Sequence, residues 1–151
     1  MPVQSVSPRI ASVRPQMTAD IMAQTGLDEA VLRSLVHQFY ERVRDDAVLG
    51  PIFADRITNW GPHLERMVAF WSSVALMTGR YHGRPVPAHT PLPISGAHFE
   101  RWLALFRNTA HDLCTPEGAD HLIARAERIA RSLQIAVEQA QTSPEAAPIL
   151  R

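Results

Sequence analysis

The stretch TNWGPHLERMVAFWSSVALMT (Thr58 to Thr78), followed by GRYHGRPVPAHTPLP (Gly79 to Pro93), decides how this chain folds. In the first part apolar residues recur every three or four positions along two neighbouring stripes. One runs His63, Met67, Phe70, Val74, Met77; the other runs Leu64, Val68, Trp71, Ala75. Together they predict a helix with a wide buried face, leaving Glu65, Arg66, Ser72 and Ser73 for its edge and outside, with Gly79 as its stop. The second part has four prolines and two glycines in 15 residues, so neither regular helix nor a paired strand is expected there. An irregular segment of that length inside a small domain is usually functional or disordered. Its apolar residues Tyr81, Val86 and Leu92 favour an ordered loop.

Outward from this segment the same period recurs. Thr25 followed by Asp28 resembles a capping box, opening a helix whose stripe is Val31, Leu32, Leu35, Val36, Phe39, Tyr40, Val43. Gly50-Pro51 should end it, with Ile52-Phe53 dipping inward in a short turn. Another helix starts near Ser95 with the face Phe99, Trp102, Leu103, Phe106, Ala110, Leu113. The last follows Cys114, with Thr115 as N-cap, Pro116 at the first helical position and a stripe from Leu122 through Ile129 to Val137. No segment alternates with a period of two. The expected fold is all-α, with four substantial helices and short pieces spanning residues 25–141. Residues 1–24 read as a flexible extension with at most one weak helical turn, and residues 142–151 as a frayed tail.

Composition narrows the function. The chain has 151 residues, 46% hydrophobic and 20% charged, enough for a single packed domain. Its 15 basic residues, all arginine, balance 15 acidic ones, which argues against nucleic acid as a main partner. With no lysine there is no Schiff-base or Walker-type lysine chemistry. One cysteine, Cys114, excludes an internal disulfide framework and multi-cysteine metal sites; it fits a cytoplasmic protein. No apolar run approaches the roughly 20 residues of a membrane span. The N-terminus is acid-free up to Asp20 and faintly resembles an organellar presequence, but a loose arm is the preferred reading.

Candidate chemistry gathers in one region. From Arg66 to Phe99 there is no acidic residue, whereas Arg66, Arg80, Arg84, His82, His89 and His98 lie there, which suggests an anionic guest. His63 heads an apolar stripe and is either a core histidine or a group facing a cavity. Tyr40 O–H and the Trp102 indole N–H each need a partner once buried. These three polar groups on three helices can line one spot in an apolar cavity, or each can be ordinary core. No H-E-x-x-H, serine elbow or phosphate loop is present.

The landmarks LVHQFYERVR, LGPIF, WGPHLERMVAFW, the GRYHGRPVPAHTPLP loop and HFERWLALF, in this order, resemble the truncated haemoglobins of group III over roughly Leu27 to Gln139. The resemblance implies a two-over-two helical sandwich around one haem b. It implies His89 as the proximal iron ligand, with His98 as the competing candidate. Tyr40, His63, Met67 and Trp102 are then the distal residues. Phe53, Met67, Phe70, Trp71, Tyr81, Phe99 and Ile129 would line the haem slot, and Arg66, with Arg80 or Arg84, would meet the propionates. The implied function is reversible binding of O2, with NO, CO or cyanide as further ligands at a five-coordinate iron. The alternatives are a haem-dependent NO dioxygenase or peroxidase-like enzyme served by an unidentified reductase, or a cofactor-free helical interaction module.

Overall fold

Tight local devices, more than long loops, set the helix boundaries of this chain. The computed structural model describes residues 6–142. Seven helices follow one another, with no strand among the described residues: α1 (Val6–Thr25), α2 (Glu29–Asp45), α3 (Leu49–Arg56), α4 (Trp60–Leu76), α5 (Pro85–His89), α6 (Gly96–Leu113) and α7 (Pro116–Thr142). The pair α2 and α4 packs across the pair α6 and α7, principally through α2 on α6, so the expected two-over-two helical sandwich is present.

The first helix departs from expectation. Where a flexible extension with one weak turn was expected, α1 runs for 20 residues and rests on α4 and α7. Its apolar pattern is weak and it contains Pro15, so propensity and periodicity both understate it. Tertiary contacts hold it: Ile21 packs on the core, and the Thr18 hydroxyl donates to the Leu76 carbonyl at 2.5 Å. The expected frayed tail lies beyond Thr142, outside the described residues.

Capping also differs. Asp28, not Thr25, caps α2 by accepting from the Val31 amide at 2.9 Å, while Thr25 closes α1 by donating to the Ile21 carbonyl. Gly50-Pro51 does not terminate α2; it lies in the first turn of α3, a true helix. A Cβ on Gly50 would sit 2.6 Å from the Arg44 carbonyl oxygen, so only glycine lets α3 fold back this closely on α2. Asp46 makes the corner rigid. Its carboxylate accepts from the Val48 and Leu49 amides and pairs with Arg101 of α6 at 2.7 Å.

At its C-terminus α4 stops at Leu76, three residues before the expected glycine, because Met77 takes a left-handed conformation at φ 60°. Ser72 and Ser73 are not on the outside as expected. Ser72 is buried and shares a 2.6 Å hydrogen bond with Thr78, and Ser73 accepts from the Tyr81 amide at 2.8 Å. His121 Nε2 on α7 donates to the Ala75 carbonyl. The end of α4 is therefore tied to α1, α7 and its own loop, which satisfies carbonyls that a helix end leaves bare. Beyond it, α5 adds one short helical piece to the segment expected to be irregular. Thr115, the expected cap, accepts from the Gly118 amide, and Ser95, near which a helix was expected to start, forms a capping box with His98.

The core is aromatic. Phe106 is fully buried between Trp71 and Trp102, stacked on both at centroid distances of 4.8 and 5.6 Å, and Phe39 meets it edge-on.

Arg101 and the two amides hold the Asp46 carboxyl down to about 2, against an ordinary 3.8. A depressed carboxylate pKa stabilises the fold above the unfolded value and loses that contribution as pH falls through the folded one. Asp46→Ala is expected to lower the denaturation midpoint at pH 6, and the gap from wild type should close between pH 3.8 and about 2. A gap of equal size at both ends would show that the carboxylate's charge is not what holds the corner.

Candidate functional site

Between the two helix pairs lies a cavity of about 440 Å³, within the size range of small-molecule and cofactor sites. Six helices and the segment between α4 and α6 build its wall. On α4, His63, Arg66, Met67, Phe70 and Trp71 reach it because they fall three, four and seven residues apart on one face. On α6, Phe99 and Trp102 do so one turn apart. Tyr40 comes from α2, Phe53 from α3, Tyr81 from the loop, His89 from α5 and Ile129 from α7. These twelve residues, each singled out in the sequence, thus border a single space.

The polar groups at this space are few. Tyr40 is 6% exposed, and burial pushes its phenol well above the usual range, so the O–H stays protonated. His63 sits edge-on to both Tyr40 and Trp60, at 5.4 and 5.6 Å between centroids. Its Nε2 is buried and has no hydrogen-bond partner among the described residues. Burial first, then the neighbouring Arg66 and His89, lower the pKa of its imidazole from 6.5, so the ring is neutral at neutral pH. A buried nitrogen without a partner costs about 1–3 kcal/mol, so this side chain is placed for something other than the stability of the bare chain.

His89 and His98 both border the cavity, and their hydrogen bonds tell them apart. His89 Nδ1 lies 2.5 Å from the Pro85 carbonyl oxygen. A carbonyl only accepts, so Nδ1 carries the proton and Nε2 of the neutral ring keeps its lone pair. His98 Nδ1 instead accepts the Ser95 amide hydrogen at 2.9 Å as half of the capping box. Its Nε2 then carries the proton, and offering that nitrogen to a metal would break the cap of α6. The geometry favours His89 as a donor of a nitrogen lone pair.

The cationic wall is partly corrected. Arg66 borders the cavity, as expected. Arg80 does not; it pairs with Glu29, and Arg84 is also absent from the wall. Arg56 takes their place, from the turn of α3 that follows Phe53. Sequence reasoning missed it because LGPIF was read as a short turn; a helix carried one turn past Phe53 brings Arg56 and then Ile57 to the site. It also missed Trp60, which stacks on Phe53 at 6.5 Å and carries the Arg44 guanidinium over its ring, walling in His63 from outside. Trp60 falls outside the stripes of α4, so periodicity carried no signal for it.

Because His63 leaves a buried nitrogen unsatisfied, His63→Leu is expected to make the chain without any bound group more stable by about 1 kcal/mol. Denaturant unfolding of the two cofactor-free proteins measures this, and a loss of stability would mean that the imidazole is an ordinary packed core residue.

Comparison with known proteins agrees with this architecture. Residues 21–135 match the family model described as bacterial-like globin. The Group 3 truncated hemoglobin ctb of Campylobacter jejuni is 33% identical over 113 residues, covering 72% of this chain and 89% of that protein. The Group 2 truncated hemoglobin YjbI of Bacillus subtilis is 29% identical over 111 residues, covering 71% and 83%. A crystal structure of the group III truncated haemoglobin from Campylobacter jejuni superposes with a TM-score of 0.70, covering 74% of this chain and 91% of that one. Shared sequence and shared fold lead to one conclusion: this chain belongs to the bacterial-like globin family, as a truncated haemoglobin of the group III type.

Proposed function

We propose that the chain binds haem b in the cavity between its helix pairs and reversibly holds O2 and other small diatomic ligands there. The single observation that carries this is the pairing of His89, with its proton committed to the Pro85 carbonyl, and the unsatisfied His63 nitrogen in the wall of the same cavity. Globin membership implies haem iron. The residues present fit it: an apolar wall dominated by Phe53, Met67, Phe70, Trp71, Phe99 and Ile129, one available imidazole lone pair, and Arg66 and Arg56 for the two propionates. Cys114 caps α6 and does not border the cavity, which supports a haem held without thioether bonds.

Haem supplies the coordination site for the diatomic ligand when bound, and the chain supplies the rest. The Pro85 carbonyl keeps His89 in one tautomer and one orientation, on a proline-framed segment with little freedom to lose. Tyr40 O–H and Trp102 N–H are the hydrogen-bond donors on the ligand side. Phe39 holds both at fixed angles, edge-on at 5.0 and 5.3 Å. Neutral His63 adds a third polar group without adding charge. Donors aimed at a ligand that gathers partial negative charge are worth about 1–3 kcal/mol each. This arrangement favours long retention of O2 over rapid delivery. No helix among the described residues is long and apolar enough to cross a membrane, and the cytoplasm is the proposed location.

Two measurements test the reading. The purified protein is expected to show a Soret band with haem, and His89→Gly should lose it or require added imidazole. If both proteins stay colourless after haem addition, the chain is a cofactor-free helical module. In Tyr40→Phe and in Trp102→Phe, O2 should dissociate about 5- to 150-fold faster, the range that 1–3 kcal/mol represents. Unchanged rates in both variants would remove these two donors from the ligand side.

A further inference from the structure

The His63 side chain borders the cavity half-buried, yet its Nε2 is buried and has no partner among the described residues. A turn of the ring toward solvent would give that nitrogen to water, and a buried hydrogen bond left unmade is costly, so the ring must be held where it is. Two aromatic rings hold it. Tyr40 of α2 stands at 84° to the imidazole and Trp60 of α4 at 89°, with centroids 5.4 and 5.6 Å away, the edge-to-face geometry that such rings favour. Tyr40 is fixed by the core, being almost fully buried against Phe39. Trp60 is half-buried, at the first turn of α4, and needs restraint of its own. Phe53 of α3 stacks on it at 6.5 Å and 23°, and the Arg44 guanidinium lies 4.5 Å from the centre of its ring. Arg44 is exposed in the last turn of α2 and pairs with no carboxylate among the described residues, so its charge serves the indole. The close approach of Gly50 to the Arg44 carbonyl folds α3 back on α2 and brings Phe53 to the same side.

We propose that Trp60, pinned between Phe53 and Arg44, is a positioning residue that keeps the His63 imidazole at the cavity wall, within the surroundings of a bound ligand. The proposal rests on the haem reading above and deepens it. It gives Trp60 and Arg44, neither of which borders the cavity, a share in the polarity of the ligand site. Both act through His63 and touch no ligand themselves. Without the indole the imidazole loses one of its two walls, and hydration of Nε2 draws the ring outward. The size of the ring decides the effect. A phenyl group in place of the indole can still stack on Phe53 and meet the imidazole edge-on, whereas a methyl group can do neither. A role in packing alone would lower stability in any background and would have no link to His63.

The test uses the haem-loaded ferrous protein with CO, whose C–O stretching band reports the polar groups around the ligand. In Trp60→Ala, intensity should move toward the band position of His63→Leu. Diethyl pyrocarbonate, which modifies neutral imidazole nitrogens, should label His63 about 2- to 10-fold faster than in wild type, the range that one edge-to-face aromatic contact represents. Trp60→Phe should bring both readouts back to wild type. Arg44→Gln, a surface change that leaves the core intact, should move both in the same direction by less. Arg42→Gln, which removes the nearby arginine paired with Asp112, should move neither. Trp60→Ala combined with His63→Leu should leave the band where His63→Leu alone puts it. An unchanged band and labelling rate in Trp60→Ala overturn the proposal, and if that variant takes up no haem, unchanged readouts in Arg44→Gln do so. A further shift in the double variant also overturns it, because Trp60 would then act without His63. A chain that takes up no haem at all overturns the functional reading, whereas a coloured protein whose band ignores both Trp60 and Arg44 overturns this proposal alone.

Discussion

A helical domain this small gains its stability by closing apolar space, and this one must keep about 440 Å³ of apolar space open. The stack of Trp71, Phe106 and Trp102 makes that possible. Three flat rings from α4 and α6, locked face to face, form a rigid partition between the core and the cavity. Phe39 buttresses the stack from α2 and ties Tyr40 to it. With smaller or more flexible side chains in these positions, the helix pairs would settle together and the space would be lost. The cavity is thus a consequence of core packing, and the orientation of Tyr40 and Trp102 comes with it.

On the proximal side the constraint is of another kind. There the chain gives up helix and uses prolines, side-chain hydrogen bonds and a capped helix end. Met77 in its left-handed conformation turns the chain out of α4. Ser72, Ser73 and His121 hold the turn, and the hydroxyl of Thr18 reaches in from α1. The result is a short segment whose imidazole has one hydrogen bond and one tautomer. The two walls differ in kind: aromatic packing shapes the side that carries Tyr40 and Trp102, and backbone restraint shapes the side that carries His89.

The electrostatics follow this division. Carboxylates concentrate on α2, the α2–α3 corner and the outer faces of α6 and α7, where arginines meet them in pairs. The segment from the middle of α4 to the start of α6 is left with cations alone. Within that segment Arg66 borders the cavity and Arg84 is exposed. Arginine is the only basic residue type in the chain, so each of these positions has a permanent charge and a planar group able to meet a carboxylate with two hydrogen bonds.

The stripes of α2, α4, α6 and α7 were legible in the sequence, because burying one helix face leaves a period of 3.6 that no other structure produces. Tyr40, His63, Met67, Phe70, Trp71, Phe99, Trp102 and Ile129 lie on those stripes, whereas Phe53, Arg66, Tyr81 and His89 stand outside them and were named from the family resemblance. What sequence periodicity could not carry was any feature held by a partner distant in the chain. Helix α1 owes its place to Leu76 and α7, Asp46 makes its corner with Arg101, and Arg80 is drawn from the cavity by Glu29. The choice between His89 and His98 was likewise tertiary, since both are histidines at the edge of one loop. Which nitrogen keeps its lone pair depends on whether the nearest backbone group is a carbonyl or an amide, and only the folded chain decides that.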